Sequence, residues 1–236
     1  MFIKDFTEAP EPITVKNELN PKLWQNHELK PEIKNKLVQI AKHFIEFLNI
    51  PNLNITDITI SGSNASFNYS DHSDIDLHLV ALVPKRHPDL KELFNAKKNQ
   101  YNTTYDIKIK GIQVELYVQD ASDPHHSAGI YSIMHNKWVS EPKHIKITAN
   151  PKEVKSKARN YASRINKALR SNDLNTCKEA MAEIRRLRQT GLERGGEHSV
   201  ENLAFKLLRS RGKIDKFRKF INNLQSAELS IGEKND

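Results

Sequence analysis

Cysteine is almost absent: Cys177 is the single one in 236 residues. A lone thiol excludes an intrachain disulfide and a cysteine-rich zinc site, and no partners for a thiol nucleophile can be placed near it, so redox chemistry is not expected. Long apolar runs are missing as well. The most apolar stretch, Leu77 to Val83, spans seven residues and contains His78, far short of the roughly 20 needed to cross a bilayer. The first residues carry Asp5, Glu8 and Glu11 with Pro10 and Pro12, where a secretory signal has a positive start followed by an apolar core; a cytoplasmic protein without membrane partners is expected. No internal repeat and no low-complexity tract is visible.

What is present is charge. At 37% hydrophobic and 28% charged residues, with a mean hydropathy of -0.66, the chain is polar for a globular protein without reaching the composition of a disordered one. Its length suffices for one large or two small domains. The formal net charge is +8, and it is uneven: Pro151 to Phe220 holds 19 Lys and Arg against 8 Asp and Glu. This segment more than accounts for the excess and permits a polyanionic partner.

Residues 1–30 contain Pro10, Pro12 and Pro21 with little periodicity and read as an N-terminal arm, with Leu23 and Trp24 docking on a core. From Pro31, apolar residues recur at three- and four-residue steps (Ile33, Leu37, Ile40, Phe44, Leu48), which predicts an amphipathic helix ending before Pro51. Ile55 to Ile60 and Ile75 to Val83 read as strands, Asp89 to Asn99 as a helix, and Tyr105 to Val118 as two strands joined at Lys110-Gly111. Tyr131 to Met134 and Lys137 to Val139 add shorter strands. Beyond Pro151 the pattern is helical: Val154 to Leu169, Thr176 to Leu187, Ser199 to Leu208 and Ile214 to Leu224, with breaks at Gly191, Gly195 and Gly196. The expected fold is α/β of the α+β kind: a small mixed sheet with flanking helices over 31–148, followed by a basic helical bundle over 149–236.

The chemistry concentrates in Ile58 to Val80, where one strand ends in Gly62-Ser63 and the next opens with Asp74-Ile75-Asp76. Side chains alternate along a strand, so Asp74 and Asp76 share one face. Two close carboxylates repel each other unless a divalent cation neutralises them, and hard oxygen ligands favour magnesium, with manganese as a substitute. On the strand from Ile112 to Val118, Glu115 stands among the neutral Gln113 and Tyr117 on one face. Beside the Asp74 strand it would complete a three-carboxylate cluster able to hold two ions about 4 Å apart. Asp71 and Asp106 compete for that third position, but Asp71 precedes the strand and Asp106 opens the other arm of the hairpin. Gly62 lets backbone approach a phosphate, and Ser63 with the following amides can donate to its oxygens.

At these residues the chain resembles the DNA polymerase beta-like nucleotidyltransferase superfamily, whose motif is Gly-Ser after a strand followed by an acidic-apolar-acidic triplet. Here ten residues separate Ser63 from Asp74. The resemblance covers about residues 33 to 120, includes a helical domain behind the core, and is nearest in outline to the minimal members, among them phage-encoded, RNA-modifying and antibiotic-modifying ones. It implies transfer of a nucleoside monophosphate from a nucleoside triphosphate such as ATP to an acceptor hydroxyl, with release of pyrophosphate and two magnesium ions held by Asp74, Asp76 and Glu115. The nucleotide-binding candidates are then Gly62, Ser63, Asn64, Ser73 and Lys155, the last together with Lys152 and Lys157 at the domain junction.

The basic domain makes RNA the expected acceptor, for instance a tRNA 3′ end; a small molecule or a protein is the alternative. A non-catalytic nucleic-acid-binding relative, or an enzyme joining two nucleotides, would carry the same residues. Arg185, Arg186 and Arg188 either track an RNA backbone or form a helix face balanced by Glu179 and Glu183. Tyr131, Trp138 and Tyr161 are candidates for stacking on a base, although aromatics near a sheet more often fill the core. His72, His78, His125 and His126 lack a supporting cysteine pair and read as surface or supporting groups rather than a zinc site.

Overall fold

A computed structural model describes residues 15–71, 73–83, 89–124, 127–144 and 149–231. They form two compact units, divided between residues 144 and 149, each with its own apolar core.

The first unit holds a six-stranded mixed sheet. Pro31 occupies the first turn of helix α1 (Pro31–Leu48), where its missing N–H would find no helical acceptor anyway. The helix buries Ile33, Leu37, Ile40, Ala41, Phe44 and Leu48 and stops at Asn49, which turns left-handed and returns its N–H to the Ile45 and Glu46 carbonyls.

Before α1, residues 24–29 fold into a hairpin of β1 (Trp24–Gln25) and β2 (Glu28–Leu29). Its turn places Asn26 and His27 at φ 50 and 64, the two left-handed residues of a tight hairpin turn, here made without glycine. Leu23, Trp24 and Leu29 are buried in the core of the sheet unit, and Trp24 stacks on Trp138 at 4.9 Å and meets Tyr131 edge-on at 5.1 Å. Residues 15–30 of the expected arm therefore belong to the sheet unit; residues 1–14 lie outside the described residues.

The sheet order is β5-β6-β4-β3-β7-β8. Strand β3 (Asn54–Ser61) pairs antiparallel with β4 (Ile75–Leu82), helix α2 (Asp89–Thr104) follows, β5 (Lys108–Ile109) turns at Lys110-Gly111, and β6 (Ile112–Asp120) runs parallel to β4. Short β7 (Ile130–Ser132) and β8 (Lys137–Ser140) complete it beside β3. β5 is only two residues long, and Asn102 of α2 serves the β6 backbone beyond it: its amide donates to the Leu116 carbonyl at 3.0 Å and accepts from the Leu116 N–H at 2.9 Å. α2 runs five residues past its expected end because Tyr101 packs among Phe44, Phe47 and Tyr105, with its hydroxyl 2.7 Å from His43 Nδ1. Burial pushes that phenol up to about 12.

The second unit is a four-helix bundle of α3 (Pro151–Ser171), α4 (Leu174–Gly195), α5 (Val200–Ser210) and α6 (Lys213–Leu229). Asn150, Asp173 and Ser199 cap the first three starts, accepting from the N–H groups of Lys152, Thr176 and Asn202. Gly191 does not end α4, as its position suggested; it sits inside the helix, where a Cβ would lie 2.6 Å from Glu201 Cβ and 2.9 Å from Ser199 Oγ. It is there so that the start of α5 can approach. Cys177 is buried, its thiol donating to the Ala168 carbonyl and pushed up in pKa by burial, which makes it a packing residue. No helix among the described residues is long and apolar enough to cross a membrane.

Candidate active site

Strand register builds the site. On the sheet face opposite the buried Ile75, Leu77 and Leu79, it aligns Ser61, Asp76 and Glu115 across β3, β4 and β6, and Thr59, His78 and Tyr117 two residues further on. Directly opposed residues on neighbouring strands stand about 5 Å apart. Asp76 and Glu115 are thus neighbouring half-buried acidic residues, and Asp74, also half-buried, immediately precedes β4. Of the two rivals for the third carboxylate, Asp71 is exposed ahead of β4, and Asp106 is exposed and paired with Lys108 at 2.6 Å.

Gly62 leaves β3 at φ 73 and ψ -156, a region essentially confined to glycine. A Cβ there would fall 1.9 Å from Asp76 Oδ2. The missing side chain is what lets this backbone lie against the Asp76 carboxylate. The Gly62 N–H donates to Ser127 Oγ at 3.0 Å, and a single turn of 3-10 helix, Ser63–Ala65, follows.

Ser63 is half-buried at the start of that turn, its carbonyl accepting from the Ser66 N–H and hydroxyl. Asn64 is fully buried, and its side chain is spent inside the protein. Its amide donates to the Ser73 and Asp74 carbonyls at 3.1 and 2.9 Å, and its oxygen accepts from Asn20 at 2.8 Å. It ties the Gly62 turn to the start of β4. Ser73 Oγ accepts from the Ser70 N–H at 2.9 Å within a local turn. Lys155 is half-buried on α3 in the second unit, where Lys157 pairs with Glu201 at 3.1 Å.

Residues not singled out as site candidates complete the face. Tyr117 donates its hydroxyl to Glu115 Oε2 at 2.6 Å, its ring stacks on His78 at 4.9 Å, and Lys98 of α2 lies 5.0 Å from the ring centroid. His78 Nε2 in turn lies 3.1 Å from Ser61 Oγ. The signal for Tyr117 was its two-residue spacing from Glu115; Lys98 and Ser127 left none, since topology alone brings them here. His72, His125 and His126 lie outside the described residues.

The stacking candidates divide. Tyr131 and Tyr161 are buried core residues, and Trp138 is half-buried against Trp24. Arg188 lies over the Phe205 ring at 4.6 Å and donates to Asn202, while Arg185 and Arg186 are exposed.

Oxygen donors from Asp76, Glu115 and the adjacent Asp74 suit a hard divalent ion. Among the described residues, no three His, Cys, Asp or Glu side chains are gathered to hold a metal ion. No protein-family model, curated protein or solved structure matches the chain.

Proposed function

We propose that this chain is a metal-dependent nucleotidyltransferase that moves a nucleoside monophosphate from a nucleoside triphosphate to the hydroxyl of an RNA acceptor. The observation that carries the reading is the contact of Gly62 with the Asp76 carboxylate beside its register partner Glu115. Carboxylates on one sheet face can hold a divalent ion for a triphosphate, and a side chain at position 62 would displace one of them. The acceptor reading rests on the 19 Lys and Arg between Pro151 and Phe220.

In this reading Asp74, Asp76 and Glu115 would hold magnesium, which neutralises triphosphate charge and lowers the pKa of the acceptor hydroxyl. Ser63 donates to phosphate oxygen, and Gly62 leaves room for the Asp76 carboxylate. Glu115 accepts the proton of the acceptor hydroxyl. The new bond forms between that oxygen and the α-phosphorus; the bond from α-phosphorus to the bridging oxygen breaks, and pyrophosphate leaves.

The test is incubation with magnesium and each labelled triphosphate, with and without total RNA, followed by resolving where the label goes. Label on RNA from the wild-type chain, and none from Asp76→Asn of unchanged circular dichroism, is the expected result. Full transfer by Asp76→Asn would overturn the mechanism, and label on a small molecule would overturn the RNA acceptor.

A further inference from the structure

Glu115 is opposite Asp76 in register, yet its carboxylate is engaged along its own strand by Tyr117 at 2.6 Å. That length falls in the range of a charge-assisted O–H to carboxylate bond. The Tyr117 ring is held from other elements, by the stack on His78 at an interplanar angle of 19° and by Lys98 above it, and His78 is itself within 3.1 Å of Ser61 Oγ. β4 and β6 run parallel, so the Asp74, Asp76, His78 side of β4 lies alongside Gln113, Glu115 and Tyr117. The bond to Tyr117 therefore draws Glu115 toward the His78 end of the row and away from Asp74.

We propose that Tyr117 is a positioning residue that latches Glu115 back from Asp76, and that release of this hydrogen bond accompanies divalent-ion binding. The latch rests on the nucleotidyltransferase reading only in its choice of ion. Its physical basis is competition for one carboxylate: Glu115 accepts the phenol hydrogen bond along β6, whereas an ion held with Asp76 draws the same carboxylate across to β4. When a cation arrives, the balance reverses and Glu115 swings to Asp76. The cost of breaking the phenol bond then appears as weakened ion affinity, because only the unlatched fraction of molecules is competent.

The test is direct binding of Mn2+ to the full chain, read from the electron paramagnetic resonance signal of the free ion. Tyr117→Phe is expected to bind about tenfold more tightly than wild type, the size of one lost charge-assisted hydrogen bond. Glu115→Gln and the double variant Glu115→Gln/Tyr117→Phe are expected to bind alike, because the gain acts through Glu115. A purely structural Tyr117 would give weaker binding on substitution, the opposite sign. In the wild-type chain, saturating magnesium is expected to give a tyrosine ultraviolet difference spectrum that Glu115→Gln lacks.

Unchanged or weaker Mn2+ binding by Tyr117→Phe, with binding still lost in Asp76→Asn, would overturn the latch and leave the functional reading standing. The absence of the difference spectrum in a wild-type chain that binds Mn2+ would overturn the latch as well. Mn2+ binding indifferent to Asp76→Asn would overturn the functional reading and the latch with it.

Discussion

Gly62 and Asp76 constrain each other across β3 and β4. The glycine adopts a backbone conformation that other residues reach only with strain of about 1–3 kcal/mol, and the space a Cβ would take is filled by Asp76 Oδ2 at 1.9 Å. Gly62→Ala is therefore expected to lower stability in urea unfolding by about 2 kcal/mol, and to abolish transfer by pushing the carboxylate aside. Gly62→Ala/Asp76→Ala should destabilise by less than the sum of the single changes, because the second substitution removes the clash but not the strain. Strict additivity would mean that the contact is not felt. Asn64 is a different kind of residue in the same turn: with its side chain bonded to Asn20 and to the Ser73 and Asp74 carbonyls, it positions Asp74 from within the protein. The likeness of Gly62-Ser63-Asn64 to a phosphate-binding run conceals this, because three adjacent residues of one turn face three different surroundings.

At the level of helices and strands, Gly191 shows how a tertiary neighbour reverses a local preference. In an isolated helix, alanine in place of glycine stabilises by about 1 kcal/mol. Here a Cβ meets Glu201 Cβ at 2.6 Å, and Gly191→Ala is expected to destabilise by about 1–3 kcal/mol through overpacking; a raised melting temperature would refute this account. The cap of α4 responds to pH. The hydrogen bond from Thr176 holds the Asp173 carboxyl below its ordinary value. A carboxyl lowered on folding stabilises above its unfolded pKa, about 3.9, and that contribution is lost as pH falls through the folded value. The melting temperature of wild type should thus fall more steeply between about pH 5 and pH 2 than that of Asp173→Asn, which caps without titrating. Parallel curves would mean that the cap does not feel the charge.

Across the whole molecule, charge and carboxylate chemistry belong to different units. The sheet unit carries Asp74, Asp76 and Glu115, whereas Pro151 to Phe220 carries the excess of Lys and Arg over a core of its own. Residues 149–236 expressed alone are expected to be helical and to unfold cooperatively. With RNA as the proposed acceptor, they are also expected to bind RNA about as well as the full chain does, with binding that weakens steeply as salt rises through counterion release. Fluorescence anisotropy with a labelled RNA across a salt series measures both. Retention of binding by residues 1–148 instead, or a flat salt response, would reverse that assignment.

The helices and the strand face were legible because their information is local. Ile33, Leu37, Ile40, Phe44 and Leu48 repeat at helical spacing, and Asp76 alternates with Ile75 and Leu77, so each segment announces its own buried side. Gly62-Ser63 and Asp74-Ile75-Asp76 were visible for the same reason. The β1-β2 hairpin escaped notice because its turn uses Asn26 and His27 in place of glycine, and the continuation of α4 through Gly191 because the reason for that glycine lies on α5. Tyr131 and Tyr161 were candidates for stacking on a base although core was the favoured reading, and packing puts both in the interior. The pairing of Asp76 with Glu115 and the grip of Tyr117 on that glutamate come from the parallel register of β4 and β6. Periodicity tells which way a side chain faces on its own strand; which residue stands next to it is settled only when strands far apart in the chain pair and pack together.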